Sequence, residues 1–388
     1  MPSEAPAGNM AELEALMRRA LELAERGGGA TAPNPMVGCV LVASDGTVIG
    51  EGFHRRAGGP HAEVEALAAA RRAGHDPAGS LAVVTLEPCD AHNRTPPCTV
   101  ALLEAGVERV AYAVSDPYVG KGGAERLRAG GVEVQGGVLE ASSRRLIEPW
   151  LHFVESGRPY FHVKTAQTLN ARVTRHRENR PWVTGPDARR AVHRLRRQHR
   201  AVMVGIGTVV ADDPLLTVRD WPPPEEAGEW PEVQPIRVVL DSRLRTPLES
   251  RLATTAGEVP LWIFAAEDAP RDHERELAAR GALVIRVGGG RAGLLLEAVA
   301  AELARREVPG VLVEAGPTLA TALLETDLVD RWTMFLAPDW VTERGTLPML
   351  LTDAPHVGFE LTDAEWSIHG RDAAVTGCVW RGGSGPRI

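Results

Sequence analysis

One short stretch holds most of the residues with obvious chemistry. It reads Thr85-Leu86-Glu87-Pro88-Cys89, then an eight-residue gap, then Cys98; His61-Ala62-Glu63 lies upstream. Two thiolates and one imidazole are donors that zinc prefers, and three such ligands leave a fourth position open to water. Zinc lowers the pKa of bound water toward neutrality, so hydroxide becomes available to attack an amidine-type carbon. A carboxylate that is not a ligand must then carry protons to the departing ammonia. His-x-Glu followed by Pro-Cys and a second Cys is the pattern of zinc deaminases. His61, Cys89 and Cys98 are therefore the candidate ligands, and Glu63 the candidate proton shuttle. The plain alternative is two unrelated buried thiols, since free Cys is commonly buried. It leaves the His-x-Glu and Pro-Cys context without a reason.

The neighbouring residues supply the scaffold. Ala62 to Ala73 is alanine-rich and predicts a helix whose first turn turns His61 and Glu63 toward one cavity. Leu81 to Leu86 predicts a buried strand. Pro88 opens a turn, which places Cys89 near a helix N-terminus, where N–H groups and the dipole favour thiolate. Upstream, Leu13, Leu16, Leu21 and Leu23 recur through Ala11 to Glu25 until Gly27-Gly28-Gly29 stops the helix. Residues 1 to about 9 read as disordered. Gly38 to Ala43 and Thr47 to Gly52 are strands around the Ser44-Asp45-Gly46 hairpin signal. Cys39 reads as core, and His54 and His75 as loop or surface residues. A helix (Thr99 to Ala105), a strand (Arg109 to Val114), a helix (Ala124 to Ala129) and a strand (Val132 to Val134) follow, so this half is a layered α/β unit. Pro33 and Pro35 hold the backbone extended around Asn34, whose amide offers both a donor and an acceptor. A turn residue and a substrate contact are both open for it.

A boundary falls between about Ser142 and Pro159, where Pro149-Trp150 and Ser156-Gly157-Arg158-Pro159 read as a connector helix and a turn. The expected domains are 10–145 and 157–388. Beyond the boundary, strands from Tyr160, Ala201, Arg237, Leu261, Leu283, Val311 and Trp332 alternate with helices from Pro186, Arg271, Leu294 and Thr318, which predicts a second α/β domain. No Gly-x-Gly-x-x-Gly follows its first strand, so a Rossmann reading is unsupported. Gly205-Ile206-Gly207-Thr208 lets a ligand approach the backbone. Glu314-Ala315-Gly316-Pro317-Thr318 runs from strand to helix, and the N–H groups of that helix start suit a dinucleotide phosphate.

Composition sets the class. The chain has 388 residues, 44% of them hydrophobic, enough for two cored domains. A net charge of −8 and the lack of a basic, aromatic-interleaved stripe disfavour nucleic-acid partners. Only Lys121 and Lys164 are lysines among 43 basic residues, as expected for a GC-rich genome. Four cysteines do not form a secreted disulfide pattern. No apolar run has membrane-spanning length, and Met1 to Gly27 shows no signal-peptide pattern. The expectation is a cytoplasmic enzyme acting on small molecules, without nucleic-acid or membrane partners.

Thr85-Leu86-Glu87-Pro88-Cys89 with the long gap and Arg94-Thr95-Pro96-Pro97-Cys98 closely resembles the deaminase half of the bifunctional riboflavin-biosynthesis deaminase–reductases. Trp182-Val183-Thr184-Gly185, the Arg-rich helix to Arg197, Gly205 to Thr208, Ala211 to Pro214, Leu216 to Arg219 and Val313 to Gly316 resemble the reductase half, in its order. The resemblance spans roughly residues 10 to 385. It implies a cytidine-deaminase-like three-layer domain plus a dihydrofolate-reductase-like domain, with Zn2+ and NADPH as cofactors and a homo-oligomer as the common assembly. It implies that Asn34 and Lys121 contact the deaminase substrate. It further implies that Ala166, Trp182, Thr208, Asp212, Ser242, Gly316, Pro317, Thr318, Leu319, Ala320, Thr321 and Ala322 line the cofactor site. Arg196, Leu216, Arg219 and Glu314 would line the reductase substrate site, with Arg196 and Arg219 able to fork onto a ribose phosphate.

There are departures from the family pattern. The usual gap Ser-His-His-Gly-Arg-Thr-Pro-Pro is Asp90-Ala91-His92-Asn93-Arg94-Thr95-Pro96-Pro97 here. The loop after Asp116-Pro117 has Tyr118 for Asn and is shortened. Arg180-Pro181 stands where the family has Ser-x. Lys-x-Ala-x-Ser-Leu-Asp-Gly has become Lys164-Thr165-Ala166-Gln167-Thr168-Leu169-Asn170-Ala171, and Glu-Gly-Gly has become Glu314-Ala315-Gly316. The resulting expectation is zinc-dependent deamination of a phosphoribosylamino-pyrimidine followed by NADPH-dependent reduction of its ribosyl arm. The alternatives are a deaminase whose second domain, marked by Asn170, no longer reduces, and a second domain that only binds phosphorylated pyrimidines.

Overall fold

The computed structural model describes residues 7–91, 96–118, 120, 122–173, 182–219, 221–222, 230–290, 293–342, 346–351 and 358–380. Contacts divide the chain into two compact units, 1–155 with 225–233, and 156–224 with 234–388.

The first unit runs α1 (Ala7–Glu25), β1 (Gly38–Val42), β2 (Val48–Phe53), α2 (Ala62–Arg72), β3 (Leu81–Leu86), α3 (Cys98–Glu104), β4 (Arg109–Val114), α4 (Gly123–Ala129), β5 (Glu133–Gln135), α5 (Glu140–Leu146) and α6 (Glu148–Ser156). Its five strands lie in the order β2-β1-β3-β4-β5. β1 pairs antiparallel with β2 and β3, whereas β3, β4 and β5 are mutually parallel. Successive side chains of a strand face opposite ways, and β1 shows the consequence. Val40 and Val42 join Met17, Ala20 and Trp150 on one face, while Cys39 and Leu41 join Ala66, Leu67, Leu102 and Leu127 on the other. Helices therefore cover both faces, giving three layers. The hairpin forms as expected: Gly46 takes φ 87°, and Thr47 N–H donates to Asp45 Oδ1 over 2.9 Å. The first helix begins at Ala7, inside the stretch expected to be disordered.

The second unit runs β6 (Tyr160–Thr168), β7 (Arg172–Val173), α7 (Pro186–Gln198), β8 (Ala201–Gly205), α8 (Ile206–Asp212), β9 (Ile236–Leu240), α9 (Arg251–Thr254), β10 (Leu261–Ala266), α10 (Arg271–Ala279), β11 (Leu283–Val287), β12 (Gly289–Gly290), β13 (Gly293–Leu294), α11 (Leu296–Arg305), β14 (Gly310–Glu314), α12 (Pro317–Glu325), β15 (Arg331–Ala337), β16 (Leu347–Pro348), β17 (Glu360–His369) and β18 (Asp372–Trp380). Nine strands form one sheet in the order β11-β10-β9-β8-β14-β6-β15-β18-β17. It is parallel from β11 to β15 and closes with the antiparallel β15-β18-β17 edge. Parallel strands covered on both faces are buried throughout. Val311 and Val313 of β14 accordingly enter one core cluster, and Leu312 enters the other. The β17–β18 hairpin was not expected from the sequence: Ala364, Trp366 and Ile368 alternate with polar residues, but β17 is a largely exposed edge that buries neither face. No helix among the described residues is long and apolar enough to cross a membrane.

The helix that opens with His61 lies directly on β2. A methyl added at Gly52 would sit 2.3 Å from Ala66 N and 2.5 Å from Ala62 O, so α2 rests on bare strand backbone. Gly52→Ala is expected to push α2 outward. Overpacking of this kind costs about 1–3 kcal/mol. Thermal unfolding should show a lowered Tm, and zinc analysis less metal per chain; wild-type values of both would contradict the close-packing argument.

Candidate functional site

His61 is the N-cap of α2, with extended backbone, and its carbonyl accepts the first helical bond from Glu65 N–H over 3.0 Å. Its Nδ1 lies 3.1 Å from Cys98 Sγ and 3.5 Å from Cys89 Sγ. The three donor atoms all fall within 4.8 Å of one another. Around a tetrahedral ion with bonds of about 2.0–2.3 Å, ligand atoms stand roughly 3.5 Å apart, so the donor set fits zinc in both chemistry and spacing.

Cys89 sits in the loop after β3 and, as expected, against a helix N-terminus, that of α3, which begins nine residues later at Cys98. Cys98 N–H donates to Cys89 Sγ over 3.5 Å and Thr99 N–H donates to the Cys89 carbonyl over 3.2 Å. Hydrogen bonding from the Cys98 thiol, aided by His61 and opposed by burial, holds the Cys89 thiol down to about 4. The Cys89 thiolate and burial push Cys98 up.

Glu63 is 3% exposed, and burial raises its pKa above the ordinary value of 4.5, with the His61 charge opposing. A buried carboxyl that holds its proton more readily than usual suits proton transfer near neutral pH. The Cys89 loop is braced by Glu87, which accepts from Ala124 N–H over 2.8 Å and from Asp116 N–H over 3.2 Å. Gly123 lies against Pro88 so closely that a methyl there would be 1.8 Å from the Pro88 carbonyl oxygen. Asn34 stands beside this centre through His54: its Nδ2 is 3.1 Å from His54 Nε2, and the His54 ring meets His61 edge-on at 5.4 Å. His54 lies in the loop after β2, but it is not a surface residue: it is only 3% exposed. Lys121, His92 and Arg94 lie outside the described residues.

In the second unit, Glu314 ends β14 in register with Lys164 of β6. Arg196 of α7 donates from Nε to Glu314 Oε1 over 2.5 Å, from Nη2 to Oε2 over 3.0 Å, and from Nη1 to the Thr217 carbonyl over 2.8 Å. Its fork therefore grips Glu314 here rather than a phosphate. Arg219 is exposed at the end of the same loop. Its Nη1 donates to Thr217 Oγ1 over 2.8 Å and its N–H donates to His193 Nδ1 over 3.3 Å. Leu216 is buried with φ 54°, so its side chain belongs to the core.

Burial pushes the Glu314 carboxyl upward, but Arg196 and Lys164 overcome this and hold it at about 2. Burial lowers the Lys164 ammonium pKa, while Glu314 and Asp212 support its charge. Lys164 was not singled out from the sequence. The signal that could have found it is a lone lysine directly after the mostly apolar strand start Tyr160-Phe161-His162-Val163.

The expected cofactor residues gather at the C-terminal ends of neighbouring parallel strands, where open α/β sheets bind ligands. Ser242 follows β9, Thr208 follows β8, and Gly316 follows β14. A methyl on Gly316 would meet only Thr208 Oγ1, at 3.9 Å, and Gly205 and Gly207 have nothing within 4 Å. Pro317 opens α12 with its N-terminus at this open space. Leu319 and Ala320 turn into the core, Thr318 is exposed, and Thr321 Oγ1 accepts from Leu351 N–H over 2.9 Å. Trp182 is 60% exposed under the Arg189 guanidinium, 5.5 Å from it, and Ala166 packs beside Val192 and Phe335. Exposed backbone and a helix N-terminus fit a dinucleotide phosphate.

Residues 10–114 match the cytidine and deoxycytidylate deaminase zinc-binding region, and residues 159–372 match the RibD C-terminal domain. Riboflavin biosynthesis protein RibD of Escherichia coli is 40% identical over 360 residues, 89% of this chain and 95% of the relative. The chain belongs to the RibD family. The Aquifex aeolicus member is 38% identical, with 83% of this chain and 86% of the relative covered. The solved Acinetobacter baumannii RibD superposes with a TM-score of 0.78 at 33% identity, over 96% of this chain and 100% of that one. A Thermotoga maritima deaminase/reductase gives 0.78 at 32% identity, over the same shares. As a RibD-family protein the chain is a bifunctional zinc deaminase and NADPH-dependent reductase of riboflavin biosynthesis, with a dihydrofolate-reductase-like second domain.

The Glu314 clamp has a pH signature. Its folded pKa of about 2 lies below 4.5, so its stabilisation is present above pH 4.5 and is lost as pH falls through about 2. At about 1.4 kcal/mol per unit, the shift amounts to roughly 3 kcal/mol. The stability advantage of wild type over Glu314→Gln should shrink as thermal melts move from about pH 6 toward pH 3. A gap that stays constant over that range would overturn the assignment.

Proposed function

We propose that the unit spanning about 10–145 deaminates a diamino-pyrimidinone carrying a phosphoribosylamino arm, and that the unit spanning about 157–388 reduces that arm to a ribityl chain. The similar Thermotoga maritima protein is named diaminohydroxyphosphoribosylaminopyrimidine deaminase/5-amino-6-(5-phosphoribosylamino)uracil reductase, which supports this choice of substrates. The observation that carries the reading is the convergence of His61, Cys89 and Cys98 beside the buried Glu63.

Zinc held by those three residues supplies an activated water. Glu63 takes the proton of the attacking water on its carboxylate and delivers it to the leaving nitrogen, so that ammonia rather than amide departs. Asn34 orients the ring or sugar through its amide, and Lys121 supplies a positive charge toward the substrate phosphate.

In the second site NADPH supplies the hydride. Thr208, Asp212, Ser242, Ala166, Trp182 and the segment Gly316 to Ala322, the first turns of α12, would hold it, Leu319 and Ala320 through their backbone. Arg196 fixes the Glu314 carboxylate, which orients sugar hydroxyls or a ring N–H, and Lys164 lies beside it. Arg219, at the exposed loop end, takes the ribose phosphate, while Leu216 shapes the loop through its backbone. We further propose a homo-oligomeric, cytoplasmic enzyme without nucleic-acid partners. The exposed Trp366 and Ile368 on edge strand β17 and the net charge of −8 support that view.

Two outcomes test the proposal. Glu63→Gln should keep its zinc and its reduction of the deaminated intermediate, while deamination falls about 10²–10⁴-fold, the usual weight of a general acid–base. A variant that deaminates normally removes Glu63 from the mechanism. With the wild-type, zinc-loaded chain and the phosphoribosylamino-diaminopyrimidinone, ammonia release and NADPH oxidation should be equal. Ammonia without NADPH loss would confine the activity to the first unit.

A further inference from the structure

Asn34 can offer a substrate either its amide nitrogen or its oxygen, and the two choices select opposite partners. His54 decides between them. Its ring follows directly on β2 and both ring nitrogens are engaged. Nδ1 lies 2.9 Å from the Pro60 carbonyl oxygen and Nε2 lies 3.1 Å from Asn34 Nδ2. A carbonyl oxygen only accepts, so Nδ1 carries the proton and donates to it. In the neutral ring Nε2 is then an acceptor. The group facing it must be the Asn34 NH2, and the Asn34 oxygen is turned to the other side of the amide.

The backbone that carries the two side chains is itself fixed. His54 N–H donates to the Val37 carbonyl over 2.9 Å, and Asn34 N–H donates to the Thr31 carbonyl over 2.8 Å. Gly27 lies so close that a methyl there would be 2.6 Å from the His54 carbonyl oxygen. One connected path thus runs from Pro60, which precedes the zinc-binding His61, through His54 to Asn34.

We infer that His54 is a positioning residue that locks the Asn34 carboxamide with its oxygen toward the deaminase substrate, so that this point of the pocket requires a hydrogen-bond donor, a ring N–H or a sugar hydroxyl. The inference rests on the reading of Asn34 as a substrate contact. A freely turning amide would accept a donor or an acceptor at that point. The locked one sets its lone pairs against any carbonyl or bare ring nitrogen, a mismatch that leaves buried polar groups unpaired.

The test uses the full-length, zinc-loaded chain. Nitrogen NMR of histidine-labelled wild type, with the His54 signals assigned by their loss in His54→Gln, should show the tautomer protonated at Nδ1. Protonation at Nε2 overturns the inference, whatever the variants do. In kinetics, His54→Phe keeps the aromatic volume and loses both contacts. Its KM for deamination should rise about tenfold, the weight of one hydrogen bond, with kcat, zinc content and reduction of the deaminated intermediate little changed. His54→Gln, which can donate and accept, should recover most of the loss. Asn34→Ala should raise KM similarly, and the Asn34→Ala/His54→Phe double variant should be no worse than Asn34→Ala. If Asn34→Ala leaves KM unchanged, the reading of Asn34 fails. If Asn34→Ala raises KM and His54→Phe does not, the positioning role of His54 fails while the contact stands.

Discussion

The contact of α2 with bare strand backbone is the constraint on which the first site depends. Gly50 and Gly52 of β2 carry no side chains, and Ala66 and Ala70 of α2 fill the space above them. Only that pairing brings the helix low enough for its N-cap, His61, to reach two sulfurs that belong to other elements. The sulfurs are held by a second brace. Glu87 leaves the end of β3 and gathers the Asp116 and Ala124 amides with one carboxylate. Bonds to a charged acceptor are worth about 1.5–3 kcal/mol, enough to hold a loop that has no strand or helix of its own. The ligand set is therefore organised by packing and backbone hydrogen bonds, which a metal ion then links.

The two sites show how one residue type is turned to two tasks. Glu63 and Glu314 are both largely buried. Among the described residues no arginine or lysine clamps Glu63, so desolvation dominates and it retains a proton more readily than in water. Glu314 is gripped by Arg196 through two bonds and faces Lys164, so charge outweighs desolvation and it stays ionised. A carboxyl that must pick up and release a proton belongs in the first environment, and one that must hold donors in place belongs in the second.

Sequence patterns were legible where local rules govern. The alternation of buried and capped segments marks Leu81–Leu86 at the boundaries seen, and the metal ligands are tied to a motif whose chemistry needs those atoms. What was hidden depends on partners distant in sequence. The short α8 lies within glycine-rich residues that local propensity assigns to a loop, and it forms at the rim of β8. β6 continues to Thr168 through polar residues because β15 pairs with it along its length. His54 looks like a solvated residue until the Pro60 carbonyl and Asn34 are placed on its two nitrogens. Arg196 looked available for phosphate because nothing local indicates that a carboxylate 118 residues away occupies its fork.

The amide at Asn170 illustrates why a departure from a family pattern is best judged by its contacts. Asn170 Oδ1 accepts from Thr168 Oγ1 over 2.8 Å and from Val341 N–H over 3.2 Å. Its Nδ2 donates to the Val341 carbonyl over 2.6 Å. A carboxylate could keep the first two bonds, but it would face the Val341 oxygen with a lone pair, and two acceptors at that distance repel. In this chain the amide is therefore the group the turn requires, and it fastens the end of β6 to the segment after β15. Ala171 then follows at φ 54°, a left-handed position that glycine would fill with less strain. Both departures concern how the chain turns at the rim of the sheet. The ionised carboxylate of the site is Glu314, fixed from another strand, so the change at Asn170 leaves the charge arrangement around Arg196 and Lys164 in place.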